Sequence, residues 1–421
     1  MPSNLVLITT AYPSSSVTEE VFVSPELEAL SREFDRVIIV PLRRYGAASE
    51  VKGPGIIIDW SIADCLSSRC KIFKLPALCS RYVRSNYARL LKSNNNLKQF
   101  ISQSFYCMNV EICRRKLKRI ISKYGLDTKS TVFYTFWFDY QAISLYELSK
   151  EMPLTFVSRA HGYDIFDHVA PNRPSYLRAL AMTGIKALYP ASREGERYLK
   201  DRYPGNDHKI HTRTLGSDKD NPDYKAKCHD EESGMITFLS VARVSPEKGV
   251  ARNLEFVIQY AKDHKDKTVK WIHVGDGPEM NTLSQSCGKE ALPVNLEIEL
   301  RGSLHNSAVH MIYHTEPIDW VMLFSDYEGG CPIAVSEAIS YAVPVIGNAV
   351  GGIPEIITPD CGITVAHGTP PAEIVKKIDE VMSDRNAYLS MRETAHNRWK
   401  EKFSAGKLRA EFASELSDLI K

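Results

Sequence analysis

The chain runs to 421 residues, 43% hydrophobic and 25% charged, which is too long for one ordinary core and favours two or three domains of usual size. Nine scattered cysteines with no C-x-x-C spacing argue against a disulfide framework or a zinc ribbon and for a reducing cytoplasm; the start MPSNLVLITTAYP lacks a basic signal region, and no apolar run approaches the roughly 18 residues that span a bilayer. The net charge is only +2, yet residues 64–123 hold fourteen Lys and Arg against Asp64 and Glu111, an asymmetry that suggests an anionic partner for that region alone.

NLVLITTAY reads as an opening buried strand, followed by the polar loop PSSSVTEE, an amphipathic helix in VFVSPELEALSREF and a second buried strand, RVIIVPL. Strand, helix, strand at this spacing is a βαβ unit, and nearly continuous apolar runs are what buried parallel strands look like. The basic region is helical around RYVRSNYARLLK and MNVEICRRKLKRIISKYG, after which TVFYTFWF, LTFVSRAHG and KALYPAS alternate with helices. Residues 215–234 are polar and turn-rich and read as a linker. The alternation then restarts with MITFLSVAR and continues through WIHVGDG, LEIELRGS, WVMLFS, a helix after Pro332, VPVIGNAVGG and GITVA; NRWKEKFSAGKLRAEFASELSDLIK closes the chain as an amphipathic helix. The fold class is α/β, with an N-terminal Rossmann-like domain over 1–215, a second over 216–395, and a C-terminal helix, 396–421, packing back on the first.

Ligands of open α/β sheets lie at the carboxyl ends of the strands, so the loops directly after strands carry the chemistry. In WVMLFSDYEGGCPIAVSEA a strand ends in Glu328, Gly329, Gly330 and Cys331, with Pro332 near the first helical position; the glycines admit a phosphate to the backbone and the helix start supplies N–H donors. Glu328 would face a sugar, and Glu337, within the helix, would accept two ribose hydroxyls. SVARVSPEKG puts Arg243 and Lys248 after a strand, where two cations neutralise a diphosphate without a metal. SRAHGYD puts His161 where it would bond a sugar hydroxyl or a reacting phosphate oxygen. The turn Gly275-Asp276-Gly277 lacks the third glycine of a dinucleotide fingerprint, since Met280 stands there, which disfavours a nicotinamide enzyme and leaves a tight turn. Asp218-Lys219-Asp220 lies in the polar stretch and reads as solvated loop rather than a metal site. The loop TTAYPSSS has no glycine pair, and no phosphate is expected there.

Taken together, FYTFWFDY, SRAHGYDIF, ASREGERYL, LGSDKDNP, SVARVSPEKG, WIHVGDGP, RGSLHN and SDYEGGCPIAVSEAISYAVPVIGNAVGGIPEI resemble, in order and over nearly the whole chain, the family 4 glycosyltransferases of the GT-B fold, most closely the bacterial enzymes of surface-polysaccharide synthesis. The resemblance implies two facing Rossmann-like domains with the donor cleft between them, and metal-independent transfer of a sugar from a UDP- or GDP-linked donor with retention of configuration, the nucleotide-sugar being a substrate rather than a cofactor. It implies that Arg243 and Lys248 hold the phosphates, Glu328 the donor sugar and Glu337 the ribose, that His161 stands beside the reacting sugar, and that the base packs at Arg301 to Ser303. Two positions depart from the family pattern. Eight residues rather than seven separate Glu328 from Glu337, the surplus lying in the turn, and Ala342 replaces a usual glycine, a change expected to touch only packing.

The implied partners are the nucleotide-sugar and a saccharide or lipid-linked acceptor. The basic stretch 69–123 is expected to lie on anionic lipid, giving a cytoplasmic protein peripheral to the inner face of the cell membrane; it carries no nucleic-acid motif, and no nucleic-acid partner is expected. A sugar-nucleotide epimerase or hydrolase, or a non-catalytic nucleotide-sugar binder, are the competing readings on the same scaffold.

Overall fold

The computed structural model describes residues 3–14, 19–51, 53–67, 77, 79–169, 173–289 and 292–421 except 94–95. Two sheets, each with six strands among the described residues, form the frame, and every pairing within them is parallel. The first comprises β1 (Asn4–Thr9), β2 (Arg36–Pro41), β3 (Ile56–Ile58), β4 (Thr131–Thr135), β5 (Thr155–Ala160) and β6 (Ala187–Pro190), in the order β3-β2-β1-β4-β5-β6. The second comprises β7 (Met235–Val241), β8 (Thr268–Val274), β9 (Leu296–Leu300), β10 (Trp320–Leu323), β11 (Val345–Asn348) and β12 (Gly362–Val365), in the order β12-β11-β10-β7-β8-β9. The central strands NLVLIT, TVFYT and WVML are buried throughout, which is why they read as unbroken apolar runs rather than as alternating ones.

The compact units are Met1–Arg213 with Arg409–Lys421, and Thr214–Leu408. The polar stretch 215–234, expected as a linker, is instead fastened to the second unit. The Ser217 amide bonds to the Phe403 carbonyl (3.0 Å) and the Ala226 amide to that of Tyr341 (2.9 Å). Lys219 donates to the carbonyls of Ser340 (2.5 Å) and Tyr224, and its ammonium lies over the rings of Tyr341 and Trp399. Lys219 there satisfies backbone carbonyls, and Asp223 and Lys225 pair with Lys400 and Glu393, so polarity misled as a sign of a free connection.

Residues 396–421 belong to two helices, the end of Arg385–Lys402 and the separate helix Ala405–Asp418. Arg392 and Trp399 of the former bond to Ala226 and Ser217 in the second unit. On the latter, Phe412 packs edge-on against Tyr134 and Tyr189, beneath the guanidinium of Arg159, and Glu415 pairs with Arg213, all in the first unit.

Ala342 has φ +59°, in the left-handed region. It sits just past the helix Ile333–Ser340, and the bonds Val343 N–H to Ala338 O and Ala342 N–H to Ile339 O close a Schellman motif, whose left-handed position is normally glycine. The substitution thus acts on the backbone rather than, as expected, on packing alone. Ala342→Gly should raise the stability of the second unit by about 0.5–1 kcal/mol, the relief of the left-handed penalty exceeding the extra freedom of glycine in the unfolded chain; a melting temperature no higher than that of the wild type would contradict this.

Candidate functional site

In the second sheet the chain starts in the middle, at β7, and runs outward first through β8 and β9, then through β10 to β12. The connections leaving β7 and β10 therefore diverge, and the carboxyl ends of this pair form the switch point where an open parallel sheet accepts ligands. The two segments singled out in the sequence are those connections.

After β7 the chain passes Arg243, makes a short turn of 3-10 helix at Pro246–Lys248 and enters the helix Val250–Asp263. Arg243 is exposed, and its guanidinium pairs with no acid among the described residues. Lys248 crosses to the β10 loop and donates to Glu328 Oε1 at 2.6 Å, where the Ser325 hydroxyl also donates at 2.7 Å. The ammonium is partly exposed and the carboxylate buried, so Glu328 is fixed while Lys248 keeps N–H donors toward solvent. Gly329, Gly330, Cys331 and Pro332 lead, partly exposed, into the helix Ile333–Ser340, with Pro332 as its N-cap; the amides of Val335 and Ser336 both bond to the Pro332 carbonyl, while those of Ile333 and Ala334 have no partner within the helix.

The turn is braced by a segment to which the sequence assigned no role in the site. Gly351, at φ +55°, lies so close that a Cβ on it would stand 2.1 Å from the Glu328 carbonyl oxygen, and the Gly352 amide bonds to Gly330 O at 3.1 Å. Asn348, at the end of β11, donates to the Ser325 carbonyl. The glycine pair in NAVGG was visible, but a contact between distant loops leaves no local pattern. Gly275 serves a similar approach: a Cβ there would lie 1.8 Å from the Ala242 carbonyl oxygen, so this glycine sets the spacing between two loops besides forming a turn.

Glu337 is buried and anchored by a relay. The Tyr341 hydroxyl lies 2.7 Å from His310 Nδ1, His310 Nε2 lies 2.9 Å from Asn306 Oδ1, and Asn306 Nδ2 donates to Glu337 Oε1 at 2.8 Å. The amide oxygen only accepts, so Nε2 carries the proton and Nδ1 receives the tyrosine hydroxyl. Burial lowers the pKa of His310, consistent with a neutral ring. Burial also pushes the Glu337 carboxyl up to about 7, against the opposing pull of the Asn306 bond. Asn306 and His310 could not be singled out from sequence because nothing in their spacing to Glu337 is periodic.

Arg301 is not brought to this cluster by its side chain. Its guanidinium is held by Glu299 (2.6 Å) and Glu316 (2.7 Å), and Gly302 O accepts from the Gly275 amide.

In the first unit the corresponding switch point lies between β1 and β4. The amides of Thr10, Ala11 and Tyr12 after β1 all donate to the carboxylate of Glu19, at 2.7–3.0 Å, and so does the Trp137 indole after β4. His161 follows β5. Its Nε2 lies 2.9 Å from the Phe136 carbonyl oxygen, which only accepts, so Nε2 is protonated and Nδ1 carries the lone pair. The ring stacks on Phe136 and meets Trp137 edge-on. Burial, aided by the charge of Arg159, lowers its pKa to about 3, so the imidazole is neutral in the physiological range. Asp164, fully buried, accepts the amides of Phe138, His161 and Gly162 and thereby fixes this corner. Trp137 and Tyr163 stack beside His161, both partly exposed.

Residues 225–398 match the family model of glycosyl transferases group 1. Over 42% of its length the chain is 27% identical to N-acetyl-alpha-D-glucosaminyl L-malate synthase of Bacillus anthracis, and over 40% it is 26% identical to a phosphatidylinositol N-acetylglucosaminyltransferase subunit of Arabidopsis thaliana; the matches span 45% and 36% of those proteins, less than half of each. Likeness to solved structures extends over the whole chain. Sucrose-phosphate synthase from Thermosynechococcus elongatus superposes with a TM-score of 0.68 at 13% identity over 99% of both chains, and a glycosyltransferase from Rickettsia africae with 0.64 at 15% identity over 100% and 99%. The fold is GT-B. Anabaena HepE, solved in complex with UDP, shares this GT-B architecture at a TM-score of 0.62 and 14% identity, over 99% of this chain and 100% of its own.

The two Rossmann-like domains expected from the sequence are thus present, and the family match lies on the unit that holds Arg243, Lys248, Glu328 and Glu337. Glu337 supplies a test that needs no ligand. Its folded pKa of about 7 lies above the ordinary 4.5, so the folded state holds an extra proton between these values and the group's contribution to stability declines as pH rises from about 4.5 to about 7. Glu337→Gln should therefore stabilise the protein at pH 8 by up to about 3 kcal/mol and hardly at all near pH 4.5. A gain of the same size at both pH values would contradict a buried, titrating carboxyl.

Proposed function

We propose that this protein transfers a sugar from a nucleotide-sugar to a saccharide or lipid-linked acceptor in cell-surface polysaccharide synthesis. The observation that carries the reading is the Lys248–Glu328 pair, 2.6 Å apart, joining the two loops of the switch point, the first of which also bears the exposed Arg243. An activated sugar needs cations at its diphosphate, an acid on its hydroxyls and N–H donors such as a helix start offers, and the joining of the Lys248 and Glu328 loops just before the helix Ile333–Ser340 supports this reading. The presence of UDP in the HepE structure supports a nucleoside diphosphate as ligand of this architecture.

In this reading Arg243, Lys248 and the backbone at Gly329 to Cys331 hold the diphosphate, Glu328 the sugar and Glu337 the ribose. As the bond to the anomeric carbon stretches, negative charge grows on the departing phosphate, and cations fixed beforehand act on that state more than on the ground state. With protein cations in this role, the transfer needs no bound metal. Lys248 shares its charge between Glu328 and the phosphates, so it couples sugar position to leaving-group stabilisation. Neutral His161 offers only a lone pair at Nδ1, which suits accepting a sugar hydroxyl and not donating to a phosphate oxygen. Retention of configuration, a UDP- or GDP-linked donor and action from the cytoplasmic face of the membrane complete the proposal.

A thermal-shift panel of UDP- and GDP-sugars, followed by turnover with the best binder, tests it. Lys248→Ala should lower kcat/KM by roughly 2 kcal/mol or more, mainly in kcat. An unchanged rate in that variant would remove the phosphate role; release of free or isomerised sugar without an acceptor would replace transfer by hydrolysis or epimerisation, and binding without turnover would leave a nucleotide-sugar binder. Donor affinity should also weaken as pH falls below about 7, because the Glu337 carboxylate that accepts ribose hydroxyls becomes protonated.

A further inference from the structure

The basic stretch read above as lipid-facing has two unlike halves. In the later half of the helix Leu97–Lys123 the cations are largely answered by acids: Arg114 and Arg115 pair with buried Glu111, Lys118 with Glu151 and Lys123 with Asp59. Residues 65–110, by contrast, contain no Asp or Glu. Within them, Arg81, Arg84 and Arg89 are exposed on the helix Arg81–Ser93, and Lys98 is exposed at the start of the next.

Large apolar side chains are exposed in the same place. Leu97, Ile101 and Phe105 are 72%, 45% and 48% exposed and recur every fourth residue, so they form one stripe of their helix, while Gln103, Ser104, Cys107 and Met108 are buried. Leu91, 67% exposed, lies shortly before them on the preceding helix. An exposed apolar stripe in a stretch whose charged residues are all cations is an arrangement that a bilayer with anionic headgroups complements twice, through its acyl boundary and its surface charge. A second copy of the chain would bring like charges together on this face, and a nucleic acid would leave the aliphatic stripe unmatched.

We infer that Leu91, Leu97, Ile101 and Phe105, together with the exposed cations Arg81, Arg84, Arg89 and Lys98 of the same two helices, form a docking surface for an anionic lipid bilayer. The inference rests on the lipid-facing reading of the basic region and narrows it to the helix Arg81–Ser93 and the start of the helix Leu97–Lys123; it does not depend on glycosyl transfer. No helix among the described residues is long and apolar enough to cross a membrane, so the contact is made by side chains entering the headgroup layer.

Flotation of the full chain with vesicles tests this without any sugar donor. The protein should float with phosphatidylcholine vesicles that contain phosphatidylglycerol, less so as salt is raised, and not with phosphatidylcholine alone. Combined replacement of Leu97, Ile101 and Phe105 by Ser should cut binding at least tenfold with the melting temperature unchanged, since these side chains are exposed. Each of Arg81→Gln and Arg84→Gln should weaken it roughly fivefold. Absence of the wild-type protein from the mixed vesicles, or equal flotation of the triple variant, would overturn the inference. Self-association that the triple variant abolishes, without vesicle binding, would overturn it in favour of a copy-to-copy surface. Either failure leaves transfer to a soluble acceptor standing, and loss of transfer leaves the flotation result untouched.

Discussion

A parallel sheet that begins at its centre must part its connections on either side of the first strand. In the second unit that parting falls between β7 and β10, and the geometry of the site follows from it. The parting alone would leave two unrelated loops; Lys248 makes them one by reaching to Glu328, with Ser325 as a second donor to the same oxygen. Glycines 351 and 352 then press a third loop against the turn from behind, at distances that admit no side chain. The result is a rigid array whose parts come from three strand ends, which is how a scaffold of regular elements holds chemistry in irregular segments.

The electrostatics of this array are uneven. Glu328 has a cation and a hydroxyl on the same oxygen, whereas Glu337 is buried with one amide donor and carries a desolvation cost that raises its pKa to about 7. A group held at such a cost in the resting protein is a candidate for partners that arrive from outside, because donors from a ligand would offset what burial withholds. The relay through Asn306, His310 and Tyr341 keeps that carboxyl in place meanwhile, with every proton position dictated by which atoms can only accept.

How much of this was legible in the sequence depended on range. The βα alternation, the two-domain plan and the loops bearing Arg243, Lys248, Glu328 and Glu337 could be read, because each rests on a run of neighbouring residues whose apolar pattern marks where a strand ends. Ser325, Asn306 and the glycines at 351 and 352 could not, since their importance lies in what they touch across the fold. Arg301 carried no sign of its ion pairs with Glu299 and Glu316, since recognising them requires knowing which acids lie nearby. The polar run 215–234 looked like a linker for the complementary reason: Lys219 is polar because it satisfies carbonyls on its own unit. Ala342 shows the limit at a single residue, where the left-handed backbone, invisible in composition, decides what the side chain means.

The carboxylate of Glu19 has a consequence for what each sheet can receive. Three consecutive amides after β1 converge on it, and a convergent set of amides after the first strand of such a sheet is a natural seat for an anion. In the first unit the protein has supplied that anion itself, and tied it to the tryptophan of the neighbouring strand end. Two domains of the same topology thus differ at their first strand ends: one meets the amides after β1 with its own carboxylate, while the other carries the exposed Arg243 and the partly exposed Lys248 after β7. One internal glutamate thereby sets apart two strand ends that the backbone alone would leave alike.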